Sequence, residues 1–422
     1  MSERTIGMIS PFPPKGEQTV EFSALAGYTK TLLSCFRYSD KDKIVVLAQR
    51  NSKKKEFFGN LENYKVSYVW RYNTPLCFID IISEIIRDNI KFVHLQHEVF
   101  VFGRNQYIYP YLNILLLLIL RLLGVKIVTT VHAVLLLNSI DSKFSSSNRI
   151  SAPPFLTKIG LKIMYKGICN FSNEVIVHNE KLKKTLQSDY GIKEEKITVI
   201  PHPLYKYEFS SDKLKNAVGG LLKETDKVVL FFGFLAPYKG LDLLIKSATS
   251  KEMIKSGIYF LIIGSTPKRY SEDVEYISWL DSLKEKSKIN TKIIWLHKYI
   301  PDKEIGKYFK IADLVVIPYS EAMSASGPLS IAVYYEKPVL VSETFKDVVN
   351  RNLIYGTSEK DLCVAINKFF KDRNYKSIIV SAVSKQRKLW SDERIFNLTE
   401  SVYKNLFNTN DKNGKTTTYI FN

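Results

Sequence analysis

The chain has 422 residues, of which 45% are hydrophobic and 24% charged, the ordinary balance of a globular protein, so a disordered chain and a membrane bundle are both excluded. Its 61 Lys and Arg against 42 Asp and Glu leave a formal charge of +19, which reads either as an anionic partner, a nucleotide, an acidic membrane surface or a nucleic acid, or as solvated surface lysines. No nucleic-acid partner is expected, because basic runs are as short as Lys53–Lys55 and the aromatics fall inside apolar segments.

Short apolar runs punctuate the first half: Thr5–Ser10, Lys43–Ala48, Phe92–His97, Lys126–His132, Glu174–His178 and Lys196–Ile200. Runs of this kind read as strands buried on both faces, and the helical segments between them predict a parallel, doubly wound sheet. Between the third and fourth, the Leu-rich stretch Tyr111–Val125 is broken by Asn113 and Arg121. Spanning a bilayer takes roughly 20 apolar residues, so it is a buried or surface-docking helix. The Ser-rich stretch Ser139–Pro154 has no periodicity and reads as a loop on the side where open parallel sheets bind ligands.

Pro201-His202-Pro203 and the polar stretch after it mark a hinge. A second series follows, Lys227–Gly233, Ile258–Gly264, Lys292–Leu296, Leu314–Pro318 and Pro338–Ser342, predicting a second Rossmann-like domain. The tail Ser381–Phe407 reads as helical, with Leu389, Trp390, Ile395, Leu398, Val402 and Leu406 as apolar anchors. Cys35, Cys77, Cys169 and Cys363 lack metal or disulfide spacing, and the N-terminus enters a strand directly, so a cytoplasmic protein with reduced thiols is expected.

Two turns are suited to phosphate. Gly233–Leu241 runs from a strand into a helix and carries Lys239, either a phosphate-neutralising charge or a surface lysine in a turn. Ser324-Ala325-Ser326-Gly327-Pro328 opens another helix, either as a simple cap or as an anion site.

These segments together resemble the retaining nucleotide-sugar glycosyltransferases of the GT-B fold, the family 4 type (glycosyl transferases group 1). Lys239-Gly240-Leu241 resembles the family's phosphate-lysine motif, and Ile311–Tyr319 with Lys337–Ser342 resembles the end of its donor-binding region. Val177-His178-Asn179-Glu180 with Lys196–His202 resembles the end of its first domain. The resemblance implies an α/β fold of two Rossmann-like domains facing across a cleft. Residues 1–204 form the acceptor side and 205–395 the nucleotide-sugar side, and 396–422 hold a C-terminal helix returning to the first domain and a polar tail. It also implies that His132 bonds the donor sugar, that Gly16 approaches the donor phosphate, and that His297, Tyr299 and Ile300 surround the nucleobase. His97 and Glu98 close the preceding strand on the same side as His132 and either contact the acceptor or form a structural turn.

Family members usually carry an arginine where this chain has Phe234, and glutamates where it has Met323 and Ile331. Ser324, Ser326 and the Gly327 amide are therefore expected to hold donor phosphate, with Glu321 as a displaced carboxylate. The reaction implied is transfer from a nucleotide-diphosphate sugar to a glycan or lipid-linked acceptor with retention, with no cofactor or metal expected. The alternatives are a non-catalytic partner subunit and an epimerase or phosphorylase on the same fold. The charge and the Tyr111–Val125 segment predict peripheral association with an anionic membrane.

Overall fold

The computed structural model describes residues 4–13, 24–36, 42–50, 57–61, 64–147, 150–207, 218, 220–223, 225–265, 273–286, 292–321 and 326–408. The chain divides into two compact units, the first Met1–Pro201 with Asp392–Asn422 and the second His202–Ser391.

The first unit is built on eight strands: β1 (Arg4–Ile9), β2 (Asp42–Gln49), β3 (Phe57–Leu61), β4 (Tyr64–Trp70), β5 (Phe92–His97), β6 (Lys126–Val131), β7 (Glu174–Val177) and β8 (Ile197–Val199), in the order β3-β4-β2-β1-β5-β6-β7-β8. Every pairing is parallel except β3 with β4, which the sequence reading did not locate. The direction of strand addition reverses between β1 and β5, the place where an open sheet offers a crevice at its carboxyl edge. Each face has its own core. One carries Ile6, Met8, Phe92, Val128 and Ile176 beneath the Ala24–Cys35 and Asp392–Asn408 helices. The other carries Val93, Leu95, Ile127, Val131 and Val175 beneath the Tyr109–Leu122 and Pro154–Phe171 helices.

The second unit has six parallel strands: β9 (Val228–Phe232), β10 (Tyr259–Gly264), β11 (Ile293–His297), β12 (Leu314–Ile317), β13 (Val339–Ser342) and β14 (Ile354–Gly356), in the order β11-β10-β9-β12-β13-β14. Its reversal lies between β9 and β12. Val228, Leu230, Leu261, Val315 and Leu340 are fully buried, each side chain stabilising the unit by ~1.5–3 kcal/mol, which is why these runs hold no polar alternation.

Two local expectations change. Ser139–Pro154 is not wholly a loop: Ser142–Ser147 forms a short helix, started by Asp141, whose carboxylate accepts from the Phe144 amide at 2.7 Å. The tail is two helices, Arg373–Leu389 and Asp392–Asn408, broken at Trp390-Ser391. Trp390 is buried in the second unit's core and Ile395, Val402 and Tyr403 in the first unit's, whereas Leu389 is exposed and anchors nothing. The Leu-rich helix Tyr109–Leu122 buries Leu116, Leu117 and Leu120 within the first unit. No helix among the described residues is long and apolar enough to cross a membrane.

Candidate active site

In the second unit the chain leaves β9 through Gly233, at a φ of 141°, and reaches a single 3-10 turn, Pro237–Lys239. Gly240 then takes the left-handed conformation at φ 65° and caps the next helix. A side chain there would bring its Cβ to 1.9 Å from the Pro318 carbonyl oxygen, so the turn requires glycine on two counts. This packing turns Lys239 inward toward the residues that follow β12.

Lys239 is buried, and its ammonium donates to the Tyr319 hydroxyl at 2.6 Å while lying 3.9 Å from the Tyr319 ring centroid and 4.9 Å from that of Tyr238. No carboxylate among the described residues pairs with it, and burial pulls its pKa down to about 7. A cation removed from water with only a hydroxyl and two aromatic faces as partners is a site prepared for an anion.

The Tyr319 hydroxyl also accepts from Ser326 Oγ at 3.3 Å, and Ser326 caps the Gly327–Tyr334 helix by accepting from the Leu329 amide at 3.4 Å. Pro328 has no N–H and Leu329's is taken, so Gly327 supplies the first-turn amide that can still meet an anion. Pro328 also lies 3.5 Å from where a Cβ on Gly233 would stand. Lys239, Ser326 and Gly327 are thus brought together through Tyr319 at the reversal point of the second sheet. Tyr319 was missed as a site residue. Its signal was its place just past the end of β12, at the carboxyl edge of the switch strand.

The other expected second-unit residues scatter. Glu321 is exposed, and Ser324 lies outside the described residues, as does Met323. Ile331 is a core side chain and Phe234 is partly exposed. His297, at the end of β11, is exposed and Tyr299 half-buried, while the Ile300 side chain is buried in the core, leaving only its backbone to meet a base.

In the first unit, strand alternation and register place His94, Gln96, Thr130, His132 and His178 on one face of the sheet. They form a buried chain of hydrogen bonds. His94 Nδ1 is 2.6 Å from the Tyr403 hydroxyl and its Nε2 2.7 Å from Thr130 Oγ1. The Gln96 amide bridges His94 at 3.2 Å and His132 Nε2 at 3.0 Å. His178 Nδ1 donates to the Ile200 carbonyl at 3.1 Å, which leaves its Nε2 to accept from His132 Nδ1 at 3.0 Å. Tyr28 closes over His132 edge-on at 4.4 Å. Burial lowers the pKa of His94 to about 3 and of His178 to about 4, so both rings are neutral.

The sequence reading assigned no role to His94, which lies inside a strand, or to His178, a strand-end residue without an acidic or metal partner nearby in sequence. The partners are other strands' side chains, and only the parallel register brings them together. Both ring nitrogens of His132 are engaged, so a sugar hydroxyl must displace Gln96 to reach it. His97 points to the opposite face, contrary to the expectation that it shares the side of His132. It is buried against Tyr165, with neither ring nitrogen hydrogen-bonded and its pKa lowered to about 3. Glu98 is exposed beyond it. Gly16 lies outside the described residues. Among the described residues no group of His, Cys, Asp and Glu is arranged to hold a metal ion, and all four cysteines are buried thiols outside any disulfide.

A family model described as glycosyl transferases group 1 matches residues 212–386, and one described as glycosyltransferase family 4 matches residues 45–204. An uncharacterized glycosyltransferase of Methanocaldococcus jannaschii is 26% identical over 252 residues, 55% of this chain and 60% of that protein. The lipopolysaccharide 1,2-N-acetylglucosaminetransferase of Salmonella typhimurium is 28% identical over 199 residues, 44% of this chain and 50% of its own length. The chain thus spans between half and three-fifths of the length of these curated relatives. Among solved structures, the sucrose-phosphate synthase of Thermosynechococcus elongatus superposes with a TM-score of 0.71 at 12% identity, covering 96% of this chain and 100% of the other. Anabaena HepE in complex with UDP and glucose does so at 0.63 and 14%, covering 96% and 100%. At these identities the likeness carries the fold, an α/β GT-B fold of two Rossmann-like units.

Proposed function

We propose that this chain, which belongs to the glycosyltransferases of group 1 and family 4, transfers a hexose from a nucleotide-diphosphate sugar to a glycan or lipid-linked acceptor with retention of anomeric configuration. The observation that carries the reading is the buried Lys239 ammonium, which has no carboxylate partner among the described residues and stands beside the Ser326-capped helix start. Cleaving the sugar–phosphate bond puts negative charge on the diphosphate oxygens, and donors fixed in a dry site stabilise that charge without reorganising. Lys239 supplies the charge, Ser326 and the Gly327 amide supply hydrogen bonds, and Tyr319 holds the first two in place.

His132 takes the donor sugar by exchanging Gln96 at Nε2 for a sugar hydroxyl, while Nδ1 keeps its bond to His178. Glu321 stands at the loop edge as the nearest described carboxylate to the helix start in sequence. HepE complexes with UDP and with UDP-glucose favour a uridine donor for the first trial. In this reading no cofactor takes part in the transfer, and attack by the acceptor on the face that the diphosphate leaves accounts for retention.

The test is purified protein with UDP-glucose and a panel of glycan and lipid-linked acceptors, with product configuration read by NMR. A new α-glycosidic bond from the α-linked donor is expected. Inversion refutes retention. Donor binding without transfer or hydrolysis assigns the chain to the non-catalytic partner reading, which the hydrophobic Phe234 and Ile331 at the family's charged positions favour.

A further inference from the structure

The Leu-rich helix suggested by the sequence as a membrane contact buries Leu116, Leu117 and Leu120 and exposes Leu115 and Leu122, and a denser exposed apolar face belongs to the Pro154–Phe171 helix packed beside it. The two helices meet through glycines. A Cβ on Gly160 would strike the Tyr111 hydroxyl, and one on Gly167 would crowd Ile114. That close approach fixes the rotation of Pro154–Phe171 and leaves its outer side bare. Phe155, Ile159 and Ile163 recur every fourth residue with Leu156 beside them, exposed by 62%, 50%, 55% and 47%. Four large apolar side chains in one patch exceed the scattered exposure usual for surfaces. Lys162 and Lys166, both exposed, run in a second row alongside, with Lys158 half-exposed in the same row. Neither helix contains an Asp or Glu.

We propose that this face docks onto an anionic lipid bilayer. Phe155, Leu156, Ile159 and Ile163 enter the headgroup boundary, and the lysine row meets lipid phosphates, its alkyl stems lying along the apolar stripe. Charge decides between this occupant and a second copy of the chain: a symmetric contact would set two lysine rows against each other with no acidic residue to pair, whereas an anionic surface complements them. Because the helix follows β6, its first turns lie at the carboxyl edge of the first sheet, the edge at which His97, Glu98 and His132 stand. Docking there brings a membrane-held acceptor to that edge, a consequence that rests on the transferase reading, although the docking itself does not.

The experiment is co-sedimentation of the full chain with vesicles of phosphatidylcholine alone and with about 30% phosphatidylglycerol, at low and high salt. Binding to the anionic vesicles is expected, weakened by salt, and at least about tenfold weaker for F155S/I159S and for K162E/K166E, with thermal unfolding unchanged. The proposal is overturned if the parent ignores anionic vesicles or if both variants bind as the parent does. It is also overturned if F155S/I159S abolishes a dimer seen by sedimentation velocity while vesicle binding persists. Calorimetric titration with UDP in the absence of vesicles reads the donor site separately, so failure of one reading is visible without the other.

Discussion

Binding of UDP at Lys239 is expected to be coupled to uptake of a proton. Burial lowers this amine from 10.5 to about 7. The difference, 10.5 less about 7, corresponds to about 5 kcal/mol against the charged form. The unfolded amine titrates at its ordinary value. The cost is therefore full below about pH 7, fades as pH rises toward 10.5, and vanishes above that. A diphosphate beside Nζ reverses the preference and restores the ammonium. At pH 8 about nine in ten Lys239 amines are neutral in the free protein and charged in the complex, so binding takes up close to one proton. The nucleotide's own terminal phosphate, with a pKa of about 6, is already ionised there and contributes little.

Isothermal titration in buffers of different ionisation enthalpy reads that number as a slope, close to one at pH 8 and about 0.1 at pH 6 for the Lys239 contribution. Affinity weakens toward tenfold per pH unit above 7. Lys239→Met abolishes the slope and lowers turnover about a hundredfold, on the order of 3 kcal/mol. It also raises the melting temperature of the ligand-free protein by a few degrees, because an uncompensated buried amine is gone. A zero slope at pH 8 in the parent, or the same slope in Lys239→Met, refutes the reasoning.

Ser326→Ala is expected to weaken UDP binding by about 1 kcal/mol and Ser326→Glu by more, through repulsion of the diphosphate; equal or tighter binding of Ser326→Glu in calorimetry removes the helix start from the phosphate site. The neutral buried rings of His94, His97 and His178, lowered to about 3, 3 and 4, make the first unit acid-sensitive. Unfolded histidines bind protons below about 6.5 and the native rings do not, so stability is full above that pH. It falls by about 2 kcal/mol per ring by pH 5, seen as a lower urea midpoint of Trp70 fluorescence, with the loss reduced by roughly a third in His97→Leu. Gly240→Ala should cost more than about 2 kcal/mol in thermal unfolding, from the left-handed φ and the clash with the Pro318 carbonyl, and an unchanged melting point contradicts the turn geometry.

What could be read in the residues alone followed from local chemistry. Strands such as Val228–Phe232 and Leu314–Ile317 are buried on both faces, so their apolar runs announce themselves, and the series of them announces two doubly wound sheets. Lys239 and Ser326 were legible because each lies at a strand-to-helix turn with glycine or proline beside it, chemistry that a few neighbouring residues define. The pair β3 and β4 was not legible, since Phe57–Leu61 and Tyr64–Trp70 mix polar and apolar residues at a sheet edge.

Neighbours in space were beyond local reading. Tyr319 becomes the partner of Lys239 only because β12 lies beside β9, 80 residues away in sequence. The parallel register of β5, β6 and β7 joins His94, Gln96, His132 and His178 into one chain, and strand alternation turns His97 to the other face despite its place next to Gln96. The Pro154–Phe171 helix shows the same division. Its composition permits burial or exposure of Phe155 and Ile159 equally, and the choice falls to Gly160 and Gly167, which let the neighbouring helix approach on one side and leave the other to the surroundings.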